Sequence, residues 1–224
     1  MSRNIFITGT GTDIGKTYIS ALLVKYLKDL GYKSGYYKAA VSGNKRINGE
    51  LVAGDALFVK NYAFLKQEAN EMVSYIYEEP LSPHLAAERE NRHVELEKVR
   101  HDFEKICSEN DFVTMEGSGG IICPIRYDSE KIMLEDIIKM LNLSVIIVSN
   151  AKLGSINAAG LTVSYLRDKN IPIKGIILNS YDSYDFMEQD NKKMIEEIAQ
   201  TKIIATVEHG QTDVRFEGVE ALYE

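Results

Sequence analysis

Short apolar, β-branched runs alternate along the chain with longer stretches of helical period. The runs are Asn4–Thr8, Ser34–Tyr37, Phe112–Met115, Ser144–Ser149, Gly175–Leu178 and Ile203–Val207. Val145-Ile146-Ile147-Val148 shows no polar alternation, which suits a strand covered on both faces, as in a parallel sheet wrapped by helices. After Lys16, the residues Ile19, Leu22, Leu23, Tyr26, Leu27 and Leu30 recur at i, i+3, i+4, i+7, i+8 and i+11, one apolar stripe that stops at Gly31. Further helices are predicted over Asp55–Leu65, Val94–Cys107, Leu134–Leu141, Ile156–Lys169 and Phe186–Ala199, with Pro80, Pro83, Pro124 and Pro172 between elements. No repeat, low-complexity tract or Pro/Gly-rich linker interrupts the series. The pattern predicts a single domain over residues 1–224, α/β in class, with a doubly wound, mostly parallel sheet.

Composition narrows the partners. A chain of 224 residues, 45% hydrophobic and 26% charged, can bury a sizeable core. Its net charge of −7 argues against nucleic acid, whose affinity comes from clustered Lys and Arg. Met1-Ser2-Arg3-Asn4 runs directly into an apolar strand, and no apolar run approaches the roughly 18 residues of a membrane span, so a cytoplasmic protein is expected. Cys107 and Cys123 are too few for a disulfide framework or a zinc site and are read as reduced and structural.

The candidate chemistry begins with FITGTGTDIGKT, residues 6–17. A strand, a glycine-rich turn and Lys-Thr opening an amphipathic helix form the context of a phosphate-binding loop, and the fold expected is P-loop NTPase-like. Backbone N–H groups and the helix N-terminus face the phosphates, Lys16 adds a movable positive charge, and the Thr17 hydroxyl can ligate Mg²⁺. The usual spacing would put the opening glycine at position 10, but Thr10 stands there and Gly9 comes one residue earlier. Gly11 occupies the place where partition and cell-division ATPases carry a signature lysine, which disfavours that group. The guanine-reading Asn-Lys-x-Asp motif is missing too: Asn44-Lys45 is followed by Arg46-Ile47, and Asn191-Lys192 by Lys193-Met194.

In an open parallel sheet, ligands collect beyond the carboxyl ends of the strands. The residues just past the predicted strands are Lys38, Glu116 with Gly117-Ser118-Gly119-Gly120, and Asn179. Glu116 reads as the acid completing a Mg²⁺ site or as a turn cap; Lys38, near Ser42-Gly43, as an anion-binding cation or a solvated strand end. Asp55 at a helix start reads as an N-cap or as a second carboxylate near Mg²⁺.

Taken in order, GTGTDIGKT, YKAAVSG, GDA, SPHLAA, EGSGG and KLGSIN resemble the dethiobiotin synthetase family, from Ile5 to about Asn179. The resemblance implies a homodimer that uses ATP, Mg²⁺ and CO₂ (or bicarbonate) to close a cyclic urea on 7,8-diaminononanoate. One amine takes up CO₂ as a carbamate, the γ-phosphoryl group moves to it, and the second amine expels phosphate. By position, Lys16, Lys38 and Thr12 would be catalytic, with Thr12 contacting phosphate or carbamate. Asp13, Ile14, Gly15, Thr17, Tyr18, Gly117, Ser118 and Gly119 would line the nucleotide, and Asn179 the adenine. Thr17, Asp55 and Glu116 would hold Mg²⁺, and Ser42 the diamine. Two departures stand out: Ala39 follows Lys38 where the family usually has Pro, and Val207-Glu208-His209 replaces its usual Ile-Pro. Tyr181 to Asn191, the region of partner-subunit contacts in the family, offers no match.

Among the remaining residues, His84 reads as a hydrogen-bonded structural residue, Tyr181, Asp182, Tyr184 and Asp185 as a mobile polar loop, and Glu188–Glu197 as a solvated helix face. Two alternatives to the synthetase are weighed. A carboxylate-amidating P-loop ligase would need a glutaminase domain, for which 224 residues leave no room. A non-enzymatic ATP switch is disfavoured by Gly11 and by the lack of a basic patch.

Overall fold

A computed structural model describes residues 2–223. In chain order the strands are β1 (Arg3–Gly9), β2 (Ser34–Val41), β3 (Lys45–Ile47), β4 (Glu50–Val52), β5 (Val73–Ile76), β6 (Phe112–Glu116), β7 (Pro124–Tyr127), β8 (Lys131–Met133), β9 (Val145–Ser149), β10 (Ile173–Asn179) and β11 (Ile203–Val207). The helices are α1 (Lys16–Asp29), α2 (Gly54–Ala63), α3 (Pro83–Arg89), α4 (Leu96–Glu109), α5 (Leu134–Met140), α6 (Ser155–Asp168) and α7 (Phe186–Ala199).

Seven strands form one sheet in the order β11-β10-β9-β1-β6-β2-β5, and every pairing in it is parallel. The chain winds toward β5 on one side of β1 and toward β11 on the other, so the loop after β1 leaves the sheet at its topological reversal. Side chains alternate between faces along each strand. Ile5 and Ile7 of β1 accordingly pack on the α1 face, with Ile19, Leu23 and Phe216, whereas Phe6 enters the opposite core with Phe103, Leu134 and Ile147. A third cluster, around Tyr36, Val24, Ala56 and Val59, packs α1 and α2 over β2.

The six predicted strands and six predicted helices are all present; β11 and α7 have the expected bounds and the others have shifted ends. β2 continues four residues past Tyr37 because β5, absent from the prediction, pairs with Lys38 to Val41. Two small hairpins, β3-β4 and β7-β8, were likewise not expected. Pro83 and Pro124 do not lie between elements: Pro83 opens α3, where its missing N–H costs nothing, and Pro124 starts β7. The polar segment after β10 is an ordered cap, with Asp185 accepting from the Met187 and Glu188 N–H groups and Tyr181 buried. Glu188 is buried and accepts from the Asp182 N–H, so that end of the acidic stretch is not a solvated face.

Candidate active site

The loop between β1 and α1 is shaped by backbone demands. Gly15 lies at φ +95°, and a Cβ there would meet Asn179 Nδ2 at 2.0 Å. The early glycine has its own reason: a Cβ on Gly9 would meet Ile14 Cγ2 at 2.7 Å and Lys16 Cδ at 3.2 Å, because the loop folds back over the end of β1. No side chain caps α1, so its first-turn N–H groups stay available to an anion. The Asn179 amide donates to the Ile14 carbonyl at 3.0 Å and ties the end of β10 to the loop.

Across the loop stand the ends of β2 and β6, in register: Lys38 pairs with Glu116. Both are therefore within their strands and not one residue past them, as is Asn179 in β10. The Lys38 ammonium donates to Asp55 Oδ2 at 2.6 Å and to Glu116 Oε1 at 2.8 Å, while the Thr17 hydroxyl donates to the same Glu116 oxygen at 2.9 Å. Glu116 Oε2 accepts from the Tyr36 hydroxyl at 2.8 Å. Lys16 turns back to donate to the Gly11 carbonyl at 2.9 Å. Burial lowers the Lys16 pKa, with Glu116 opposing it. Burial acts on Lys38 in the same sense, but Glu116 and Asp55 outweigh it and hold its ammonium above the ordinary lysine value.

These groups surround a pocket of about 420 Å³ lined by Thr12, Asp13, Gly15, Lys16, Thr17, Lys38, Ser42, Asp55, Glu116, Ser118 and Gly119. Thr12, Asp13, Ser42, Ser118 and Gly119 also line a neighbouring cavity of about 660 Å³ that reaches Leu81, Pro83, Ile122 and Cys123. The Ser42 and Ser118 hydroxyls donate to the Leu81 and Ala40 carbonyls, at 2.6 and 2.7 Å, which leaves their lone pairs to accept from a ligand.

Four residues expected at the site do not line this pocket. Gly117 is buried with its N–H bonded to the Ile7 carbonyl. Tyr18 sits against Phe58 and Tyr62, its hydroxyl donating to the Gln211 carbonyl. Ile14 packs its side chain beside the α1-face core, and Asn179 lies behind Gly15. Asp55 is not an N-cap, a place taken by Ala53; it stands in the first turn of α2 and serves Lys38. His84 is not hydrogen-bonded through Nδ1, which is buried and has no partner among the described residues. Tyr36 was missed because an aromatic residue in an apolar strand reads as core.

Comparison with known proteins settles the family. A family model described as "AAA domain" matches residues 3–212. The ATP-dependent dethiobiotin synthetase BioD of Clostridium botulinum (strain Alaska E43 / Type E3) is 52% identical over 88% of this chain and 87% of its own. The BioD of Brachyspira hyodysenteriae is 48% identical over the full length of both. The chain belongs to the ATP-dependent dethiobiotin synthetase family. It is thus an ATP-dependent ligase of biotin biosynthesis. A ParA family ATPase from Chlorobium tepidum TLS, with a TM-score of 0.59 over 93% of this chain and 85% of its own, is 16% identical and shares the fold alone. Among the described residues, no helix is long and apolar enough to cross a membrane.

Proposed function

We propose that this member of the dethiobiotin synthetase family closes a cyclic urea on 7,8-diaminononanoate, with CO₂ and ATP, through a carbamate and a carbamic-phosphoric anhydride. The observation that carries the reading is the buried Lys38 ammonium at the floor of a pocket shared with Lys16. A carbamate and a triphosphate repel each other, and phosphoryl transfer depends mainly on positioning and fixed charge. Lys16 holds the phosphates; Lys38 holds the carbamate oxygen and the phosphoryl group it attacks; Thr12 contacts the same oxygens. The carbamate oxygen forms the new P–O bond as ADP leaves, and the second amine then attacks the carbonyl carbon, expels phosphate and loses its proton. Ser42 accepts an N–H of the diamine, the one exchange its committed hydroxyl proton allows.

Asp13, Gly15, Ser118 and Gly119 face the nucleotide from the pocket wall, and Asn179, whose amide N–H goes to the Ile14 carbonyl, would accept from the adenine amino group through Oδ1. Ile14, Gly117 and Tyr18 act by shaping the loop and strand behind it. Two carboxylates and a hydroxyl are hard oxygen donors of the kind Mg²⁺ takes alongside phosphate and water oxygens. Thr17, Asp55 and Glu116 would hold the ion, where it would neutralise charge on the phosphates; Lys38 already sits between the two carboxylates, which supports a cation at that point. Among the described residues, no three His, Cys, Asp or Glu side chains form a metal centre by themselves.

We further infer a single domain over residues 1–224, working in the cytoplasm as a homodimer. The dimer is supported by an apolar groove of about 350 Å³ lined by Ile121, Ile122, Ala158, Leu161 and Tyr165, with Ile122 and Leu161 exposed. The experiment is phosphate release from Mg-ATP in the presence of bicarbonate and the diamine, with the cyclic urea identified by mass. No diamine-dependent turnover would overturn the reading.

A further inference from the structure

We propose that Tyr36 is a positioning residue that dictates which oxygen Glu116 offers to a divalent cation. The inference rests on the reading of Glu116 as a Mg²⁺ ligand. Glu116 divides its two oxygens: Oε1 faces the pocket and accepts from Thr17 and Lys38, whereas Oε2 accepts from the buried Tyr36 hydroxyl. Both partners of that last bond are sealed from solvent, Tyr36 at 0% exposure and Glu116 at 1%.

The sheet explains the contact. Tyr36 lies two residues before Lys38 on β2 and faces the same side, and it pairs with Thr114, so Glu116 is its diagonal neighbour on β6, within reach of an aromatic side chain. Tyr36 is fully buried in the cluster that also holds Val24, Ala53, Ala56 and Val59, beneath α1 and α2.

The consequence concerns ion choice. Mg²⁺ demands a near-ideal octahedron and takes one or two carboxylates, whereas Ca²⁺ accepts a carboxylate through both oxygens in looser geometry. With Oε2 held by Tyr36, Glu116 presents Oε1 alone. Without the hydroxyl the carboxylate can rotate and offer both oxygens. Tyr37, the next residue, faces the other core, where its hydroxyl donates to the Val99 carbonyl, and is a matched control.

The test measures Mn²⁺ binding to the ADP-loaded protein by the electron paramagnetic resonance of free Mn²⁺, with Mg²⁺ and Ca²⁺ as competitors. Tyr36→Phe is expected to weaken Mn²⁺ by about 10- to 100-fold, the cost of losing a group that orients a metal ligand, and to raise Ca²⁺ relative to Mg²⁺ as competitor. Tyr37→Phe should lower the melting temperature and leave Mn²⁺ affinity unchanged. Glu116→Gln separates the two levels of inference. If it weakens Mn²⁺ and a folded Tyr36→Phe does not, the positioning role is overturned and the metal site stands; if Glu116→Gln leaves Mn²⁺ unchanged, the metal site falls and the role of Tyr36 with it. Should Tyr36→Phe fail to fold, 3-fluorotyrosine placed at position 36 keeps the hydroxyl, and its ¹⁹F resonance must move when Mg²⁺ is added to the ADP-loaded protein; a stationary resonance overturns the proposal.

Discussion

Lys16 and Lys38 are both buried, yet their surroundings push them in opposite directions. Lys16 is dominated by desolvation, so its folded-state pKa lies below the ordinary 10.5, and the unfolded chain binds the proton more tightly. Between those two values the fold gains stability as pH rises, while the loop loses a cation. For Lys38 the carboxylates outweigh desolvation and the sign reverses: its contribution is fully present below 10.5 and is lost as pH rises through its raised pKa. The kcat/KM for ATP, which reports the free enzyme, is therefore expected to fall on the alkaline side before an ordinary lysine would titrate, and Lys16→Arg should move that fall to higher pH in a pH-rate profile. Lys38→Ala should lower kcat by on the order of 10² or more, with the fold retained by circular dichroism; near-normal turnover would refute its assigned role. Lys38 and Glu116 were legible in the sequence because a charged residue closing an apolar run is conspicuous. The Tyr36 hydroxyl was not, since its partner lies on another strand and only the register brings the two together.

Elements with a long period were the legible ones. The apolar stripe of α1 and the unalternating run of β9 each report burial over many residues, so a few exceptions do not blur them. The short β5 and the two hairpins carry too few positions for a period to emerge, although Asn48-Gly49, with φ of 51° and 86°, is the sequence signal of the tight turn that joins β3 to β4. At the loop, the left-handed Gly15 gives a direct test. Gly15→Ala adds a backbone cost of about 1–2 kcal/mol and drives a methyl group into the Asn179 amide. Affinity for ATP measured by calorimetry should drop by about tenfold or more, and the melting temperature should fall by about 2–4 °C for each kcal/mol of strain.

For the molecule as a whole, the groove beside Ile122 adjoins the larger site cavity, since Ile122 and Gly120 line both. A second copy seated there would close the substrate end of the site. Leu161→Arg, on the rim, is expected to convert the proposed dimer to the 25.2 kDa chain in sedimentation, with a loss of about 2 kcal/mol or more in association, and to raise the KM for the diamine more than that for ATP; sedimentation of the unsubstituted protein as a single chain would overturn the dimer. The sheet order also governs how this molecule comes into being. β1, which carries the phosphate loop, is synthesised early, but its two neighbours are β6 and β9, so Arg3 waits for Phe112 and Phe6 for Val145. Until those segments leave the ribosome, an apolar strand has both edges unpaired, a situation that favours chaperone capture in the cell and slow, aggregation-prone refolding in the test tube.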